Sequence, residues 1–163
     1  MNMEAPALLV ALEGSALGDA VRQSVWLYPT ANVVHVVGLA LFAGAVGVMD
    51  LRILGAFAAT TPANVIRPAR SAAVAALVLM ALSGSVLFTA EASHISLNPV
   101  FQLKAALVAL GITNALLVGP ALRRALNDTP AYVSLPARVR TAAAISLAVW
   151  LTVAASGRLI AYF

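Results

Sequence analysis

Four long apolar stretches, separated by short polar segments, dominate the chain. They cover residues 30–49, 71–90, 99–119 and 141–160. A helix needs roughly 20 mostly apolar residues to cross a bilayer core of about 30 Å, and each stretch has about this length. We therefore predict an all-α protein, an integral membrane four-helix bundle that forms a single domain over residues 1–163.

A shorter segment before the first stretch has the pattern of an amphipathic helix. Over residues 15–28, Leu17, Val21 and Val25 recur at helical spacing, and polar residues such as Arg22 fall on the other side. The segment ends with a tryptophan and a tyrosine, the aromatic residues that gather at membrane boundaries. We predict an N-terminal interfacial helix here.

The first residues of the chain do not have the pattern of a secretory signal. Residues 5–12 are apolar, but Glu4 precedes them and no Lys or Arg does. A secretory signal begins with a basic segment. We expect these residues to belong to the mature protein.

The composition agrees with a membrane location and excludes several classes of function. Hydrophobic residues make up 62% of the chain and charged residues only 10%, whereas a soluble domain carries about 25% charged residues. The absence of cysteine excludes disulfides and thiolate metal sites. The basic residues do not gather on an aromatic-interleaved surface, so no nucleic-acid partner is expected. No hydrolase or kinase motif is present.

The basic residues are distributed unequally between the two ends of the predicted bundle. One end, in the loops after the first and third spans, holds Arg52, Arg67, Arg70, Arg123, Arg124, Arg138 and Arg140. The other end holds Arg22, Lys104 and Arg158. By the positive-inside rule the arginine-rich loops face the cytoplasm. In a bacterial inner membrane, both termini are then periplasmic.

Pairs of small residues one turn apart allow two helices to approach closely. In lipid, such close packing drives helix association, because the hydrophobic effect does not act between membrane helices. The pairs are Ala40 with Gly44, Ala43 with Gly47, Ala81 with Ser85, and Ala144 with Ala148. We predict the closest backbone approach of the first span at Gly44 and Gly47. Trp150 lies near the middle of the fourth span, away from the usual aromatic belt, and is expected to pack against another helix.

Candidate chemistry collects at the end with fewer basic residues. His35 lies about one and a half turns inside the first span, Lys104 is at a similar depth in the third, and Arg158 is near the end of the fourth. Glu91 and His94 border the same layer. Ionisable side chains in hydrocarbon usually face the bundle interior and find partners there. We therefore expect a polar pocket around His35, Lys104 and Arg158.

Two interpretations of this pocket stay open. In the first, Lys104 and Arg158 extend to the headgroups and His35 hydrogen-bonds a neighbouring helix. In the second, the pocket binds a b-type haem for electron transfer, with His35 as axial ligand and the two cations on the propionates. His94 would then be the second ligand if its loop folds back, because Met80 is expected nearer the opposite half of the bilayer.

Further alternatives come from other classes of function. A non-redox protein would use the same pocket to bind or transport a small anion or a lipid, or would assist assembly of a membrane complex. A metal site from His35, His94 and Glu91 is a geometric alternative, although their spacing matches no closed metal motif. Expected partners are membrane lipids, with a homo-oligomer or a partner membrane or redox subunit as further options.

Asp50 and Arg52 close the first span and are expected in the headgroup layer at the arginine-rich end. Residues two apart on a helix do not face each other. A partner for Asp50 should therefore come from the next loop, which carries Arg67 and Arg70. We expect a structural ion pair or a lipid contact here in place of a proton relay.

Several segments together resemble an uncharacterised family of small bacterial four-helix inner-membrane proteins. They are residues 26–29 (WLYP), 35–55 (HVVGLALFAGAVGVMDLRILG), 98–104 (NPVFQLK) with Asn114, and 157–162 (GRLIAY). The resemblance spans nearly the whole chain. It implies a membrane topology, and it implies no particular activity.

The arrangement is also loosely similar to that of four-helix cytochrome b membrane subunits, a likeness at the level of the fold. Such subunits commonly hold haem between histidine pairs on facing helices. Late in the third span, where a partner histidine would be expected, this chain has Asn114, Leu117 and Val118. The resemblance therefore does not imply a histidine pair on facing helices. A haem site in this chain would need a different second ligand.

Overall fold

The computed structural model of the chain describes residues 5–159, with side chains up to Gly157. The described residues form helices and contain no strand. The helices are α1 (Ala7–Glu13), α2 (Ala16–Gln23), α3 (Leu27–Leu54), α4 (Pro62–Ala90), α5 (Ala92–Leu97), α6 (Pro99–Asp128) and α7 (Ala137–Leu159). The predicted all-α fold is confirmed.

Four of these helices, α3, α4, α6 and α7, are long and apolar enough to cross a membrane. Each overlaps one predicted span, and α3, α4 and α6 extend well beyond theirs. Residue 160, the last of the fourth predicted span, lies outside the described residues. α3 has 28 residues, a length of about 42 Å, which exceeds a hydrocarbon core of about 30 Å. Hydropathy marks only the part of a helix that meets lipid tails, and the helical hydrogen bonds continue into the headgroup layer.

The four long helices pack as two antiparallel pairs. α3 lies along α4, and α6 lies along α7. The pairs are joined mainly through α3 and α7, whereas α4 and α6 approach each other little. In a four-helix bundle each helix normally packs on two neighbours, which gives four contacts. Here the α4–α6 contact is nearly absent, so the bundle has a gap between these two helices.

The N-terminal helices cover the end of the bundle where α4 stops. α2 packs on α4 through Val21, which is only 1% exposed, and Arg22 Nη1 donates to the Ala90 carbonyl over 3.0 Å. This bond satisfies a carbonyl at the C-terminus of α4. The helix predicted over residues 15–28 is thus present but shorter, because Ser24 ends it and accepts from Leu27 N over 3.1 Å at the start of α3.

A carboxylate from α1 ties that helix to α5. Glu13 Oε2 accepts from the backbone N of Ser93 over 2.7 Å and also from the Ser93 hydroxyl. Glu91, the residue at the start of α5, supplies no side-chain cap of its own. The two Ser93 hydrogen bonds hold the pKa of Glu13 below its ordinary value of 4.5.

The arginine-rich end of the bundle contains the larger apolar core. Its buried members are Ile53, Ile66, Leu122, Ala125, Leu126, Leu135, Val139 and Ala143. The loop after α3 turns at Gly55, whose φ of 118° suits glycine. Arg52 is buried within the protein at this end of the bundle. It is only 3% exposed, and its Nη2 donates to the Thr60 carbonyl over 2.6 Å inside this loop.

The prediction of close packing at Gly44 and Gly47 is wrong. A Cβ added at either position would meet nothing within 4 Å. The close approaches are elsewhere: a Cβ at Gly38 would lie 2.9 Å from Met80 Cγ, and one at Gly111 would lie 2.6 Å from Trp150 Cζ2. α3 is apolar on every side, so its sequence does not show which face turns inward.

Candidate functional site

A long apolar cleft of about 460 Å³ lies among the four membrane helices. Most of its wall is hydrocarbon: Leu39, Phe42, Val46, Leu77, Val108, Ile112, Leu147 and Val153 line it, among others. Two ionisable side chains, His35 and Lys104, also line it. Both come from the same end of the bundle, about 12 Å and 8 Å along their helices. The cleft is therefore polar at one end and apolar along the rest.

The imidazole of His35 is held against α4. Its Nδ1 lies 3.1 Å from Ser83 Oγ, and Ser83 Oγ itself donates to the Leu79 carbonyl over 2.8 Å. Because the hydroxyl proton is used in that bond, the hydroxyl acts as acceptor toward Nδ1. This assignment puts the ring proton on Nδ1 and leaves the Nε2 lone pair for another partner.

Lys104 brings a positive charge to the same end of the cleft. Its Nζ would lie 3.6 Å from a Cβ placed at Gly157 on α7, so it reaches across from α6. Among the described residues, no carboxylate forms an ion pair with it. Arg158, the third member of the predicted pocket, follows Gly157, but its side chain lies outside the described residues.

Aromatic side chains shape the middle of the cleft. Trp150 lies edge-on to Phe42, with ring centroids 4.6 Å apart, and its indole packs directly on the backbone of Gly111. The prediction that Trp150 packs against another helix is confirmed. The indole lies on the cleft wall as well, so the same side chain supports the α6–α7 contact and lines the cleft.

The gap between α4 and α6 gives the cleft a side opening that is bounded at both ends. Near one end Phe88 of α4 stacks on Phe101 of α6, with ring centroids 5.5 Å apart. At the arginine-rich end Arg67 Nη2 donates to Asn127 Oδ1 over 2.8 Å. Between these contacts, the cleft-lining residues Val78 of α4 and Ile112 of α6 are exposed, so the cleft opens to the protein surface on this side.

Comparison with known proteins assigns the chain to a family. A family model matches residues 10–163. The chain belongs to DUF6644, a family of unknown function. No curated protein and no solved structure matches it. The predicted membership of an uncharacterised family is confirmed, and the likeness to cytochrome b subunits stays a prediction.

The cleft of this DUF6644 chain unites only some of the predicted site residues. His35 and Lys104 share it, whereas His94 is exposed on α5 and Glu91 is exposed where α4 ends. Within residues 5–159, no three His, Asp or Glu side chains are grouped to hold a metal ion.

Met80 was expected nearer the opposite half of the bilayer. It lines the cleft one turn from Ser83, because antiparallel pairing sets α4 residues 76–83 beside α3 residues 35–42.

A second cluster of polar side chains lies deeper in the DUF6644 bundle. The sequence predicted a partner for Asp50 from the segment of Arg67 and Arg70, but not the other members of this cluster. Asp50, Arg70, Asn114 and Ser146, one from each membrane helix, line a cavity of about 50 Å³. Asp50 is 1% exposed, and its Oδ2 has no hydrogen-bond partner among the described residues. Arg70 comes from the predicted partner segment, but none of the described basic residues forms an ion pair with Asp50. The cavity has room for water.

Proposed function

We propose that this protein binds an amphipathic small molecule in the α3–α4–α6–α7 cleft. The observation that carries the proposal is the placing of His35 and Lys104 together at one end of an otherwise hydrocarbon-lined cleft. A lysine charge in hydrocarbon costs at least about 2.5 kcal/mol on insertion scales. An anionic head beside Lys104 would offset this cost, and an apolar body would fill the cleft toward Trp150.

The hydrogen bonding of His35 limits which polar headgroup of a ligand can fit beside it. Lys104 offers donors only, and His35 Nε2 offers a lone pair. A matching head presents an acidic oxygen to Lys104 and a hydroxyl or a metal to His35. Carboxylates and phosphates on a hydrocarbon chain satisfy the first requirement, and the opening between α4 and α6 gives them a route from lipid.

A pair of glycine variants tests occupancy of the cleft. Gly47 lines the cleft and Gly44 is exposed nearby on the same helix, and a Cβ at either meets nothing within 4 Å. Gly47→Leu should fill the cleft, whereas Gly44→Leu should point into lipid. We expect a medium-chain fatty acid to raise the melting temperature of the wild-type protein and of Gly44→Leu, and to have little effect on Gly47→Leu.

The head of the ligand is tested separately from its body. The fatty acid should stabilise the protein more than the alcohol of equal length does, and Lys104→Gln should remove this difference. Arg22→Gln is the matched control, since Arg22 is a cation at the same end that does not line the cleft. Equal stabilisation by acid and alcohol in the wild-type protein would contradict the proposal.

Binding of haem b is the second candidate, and the Ser83–His35 hydrogen bond favours it. A hydrogen-bond partner on Nδ1 orients an imidazole for metal binding through Nε2. The residues fit the group in part: His35 would be an axial ligand and Lys104 a partner for a propionate, and haem when bound would supply electron transfer. Protein that takes up haemin should show a Soret band, which His35→Ala loses while remaining folded. A colourless protein that takes up no haemin would exclude this candidate.

We further propose a bacterial inner-membrane location with both termini on the periplasmic side. The support is the unequal distribution of basic residues, which favours a cytoplasmic position for the arginine-rich loops. Reporter fusions after Arg124 and after Phe163 test this topology. The first should report cytoplasm and the second periplasm, and the opposite pair of results would move the His35 end of the cleft to the cytoplasmic leaflet.

A further inference from the structure

A second groove between α4 and α6 lies at the arginine-rich end of the bundle, away from His35 and Lys104. Its volume is about 710 Å³. The lining residues are Arg67, Arg70, Ser71, Val74 and Ala75 of α4, and Arg123, Leu126 and Asn127 of α6. Residues 67, 70, 71 and 74 lie on one face of α4, since they are three or four apart. The groove therefore follows the helices along the membrane normal.

Three guanidinium groups gather at one end of this groove. Arg67, Arg70 and Arg123 line it, and no Asp or Glu does. Arg67 is oriented by its 2.8 Å hydrogen bond to Asn127, and Arg70 Nη2 would lie 3.5 Å from a Cβ at Gly119. Guanidinium groups remain charged at any relevant pH and match phosphate oxygens with paired hydrogen bonds. The end of the groove thus suits a phosphate group.

The rest of the groove is apolar and leads toward the membrane interior. Val74 and Ala75 are exposed on α4, and one turn further Val78 lines the cleft of His35 and Lys104 (the upper cleft). A hydrocarbon chain lying on this face would extend from the arginines toward the middle of the bilayer. A soluble phosphate would leave this apolar surface without a partner.

We propose that the groove is a binding site for an anionic phospholipid, with its phosphate among Arg67, Arg70 and Arg123 and one acyl chain along Val74 and Ala75. The occupant is a lipid because the charged and apolar parts follow each other along the membrane normal, as they do in a phospholipid. This site is independent of the upper cleft, which is defined by His35 and Lys104.

The experiment compares an anionic lipid with a zwitterionic lipid that has the same acyl chains and a different headgroup. Purified full-length protein in detergent is mixed with phosphatidylglycerol or with phosphatidylcholine of identical acyl chains, and bound lipid and melting temperature are measured. Phosphatidylglycerol should bind more tightly and raise the melting temperature more. Salt should weaken this preference, because it screens partly exposed charges.

Neighbouring arginines supply a matched pair of variants. Arg123 and Arg124 are both exposed on α6, but only Arg123 lines the groove. Arg123→Gln should weaken phosphatidylglycerol binding about fivefold, the effect of one arginine near an anionic lipid surface. Arg124→Gln should bind like the wild-type protein. The triple variant Arg67→Gln, Arg70→Gln, Arg123→Gln should lose the preference for charge.

Three results would overturn the lipid site. The first is equal binding of phosphatidylglycerol and phosphatidylcholine. The second is equal loss of binding in Arg123→Gln and Arg124→Gln, which would indicate general attraction to the basic end of the protein. The third is stabilisation by glycerol phosphate alone that matches the effect of the whole lipid, since the groove would then bind a free phosphate group.

Discussion

Gly84 lies directly against the imidazole of His35, so that a Cβ at this position would come within 3.0 Å of His35 Cε1 and 3.4 Å of Nδ1. The same edge of the ring faces Ser83, which holds Nδ1. The orientation of His35 therefore depends on a hydroxyl and on the absence of a side chain at the next residue of α4.

Gly84→Ala should consequently push the His35 ring off Ser83 while leaving the helices in place. We expect weaker binding of a fatty acid or of haemin, measured by thermal shift or by absorbance, with a much smaller change in helix content. Ser85→Ala is the control, because Ser85 is exposed and, among the described residues, its hydroxyl bonds only to the Ala81 carbonyl. Equal losses in the two variants would mean that the position of His35 is set elsewhere.

Gly111 should be the position of α6 least tolerant of added volume. A Cβ there would lie 2.6 to 3.2 Å from three atoms of the Trp150 indole, and the indole is itself confined by Phe42. Overpacking of this kind typically costs about 1 to 3 kcal/mol. Gly111→Ala should lower the free energy of unfolding by this amount in a reversible detergent titration, whereas Gly44→Ala should not lower it, since a Cβ there meets nothing within 4 Å and alanine favours a helix.

Asp50 and Arg70 should be energetically coupled through their shared cavity. They form no direct ion pair, but both line the same space of about 50 Å³ with Asn114 and Ser146, and a bridging water has enough polar partners there. In a double-mutant cycle, the combined loss in Asp50→Asn with Arg70→Gln should be smaller than the sum of the single losses by about 0.5 to 3 kcal/mol.

The control for this cycle pairs Asp50→Asn with Arg67→Gln. Arg67 lies one turn from Arg70 but bonds to Asn127 and does not line the cavity. Its loss should add to that of Asp50→Asn without coupling. Additive losses in the Asp50–Arg70 cycle would show that the two charges do not interact through the cavity.

The contact between α1 and α5 should be lost at acidic pH. Hydrogen bonds from Ser93 lower the pKa of Glu13 in the folded protein below 4.5, its ordinary value. Their contribution to stability is therefore fully present above about pH 4.5 and is lost as the pH falls through the lower folded pKa. Protection of the Ser93 amide from hydrogen exchange should follow this course.

Glu13→Gln should remove the pH dependence of that protection, since the side-chain amide of glutamine does not titrate in this pH range. Glu91→Gln should retain it, because Glu91 makes no capping hydrogen bond to α5. Protection that stays unchanged in the wild-type protein well below pH 4 would mean that the carboxylate does not hold α1 in place.

The positions of the membrane spans and the two ionisable residues at one end of the cleft could be predicted from the sequence. The faces on which the helices pack could not. Long apolar runs locate membrane helices because hydrocarbon excludes unsatisfied backbone, and the isolated His35 and Lys104 stand out in such runs. The inward faces of α3 and α6 are not visible in this way, so Gly44 was predicted as a contact and Gly111 was missed. The partner Ser83 depends on the register of α3 against α4, which composition does not encode.

The bounded opening between α4 and α6 also affects how binding should be measured. The Phe88–Phe101 stack and the Arg67–Asn127 hydrogen bond close its two ends, so we expect a ligand of the proposed kind to enter sideways from the bilayer. Its relevant concentration is then its mole fraction among lipids, and lipid tails compete for the same cleft. A ligand with very low solubility in water can therefore occupy the site, and its apparent affinity will change with the amount of lipid or detergent in the sample.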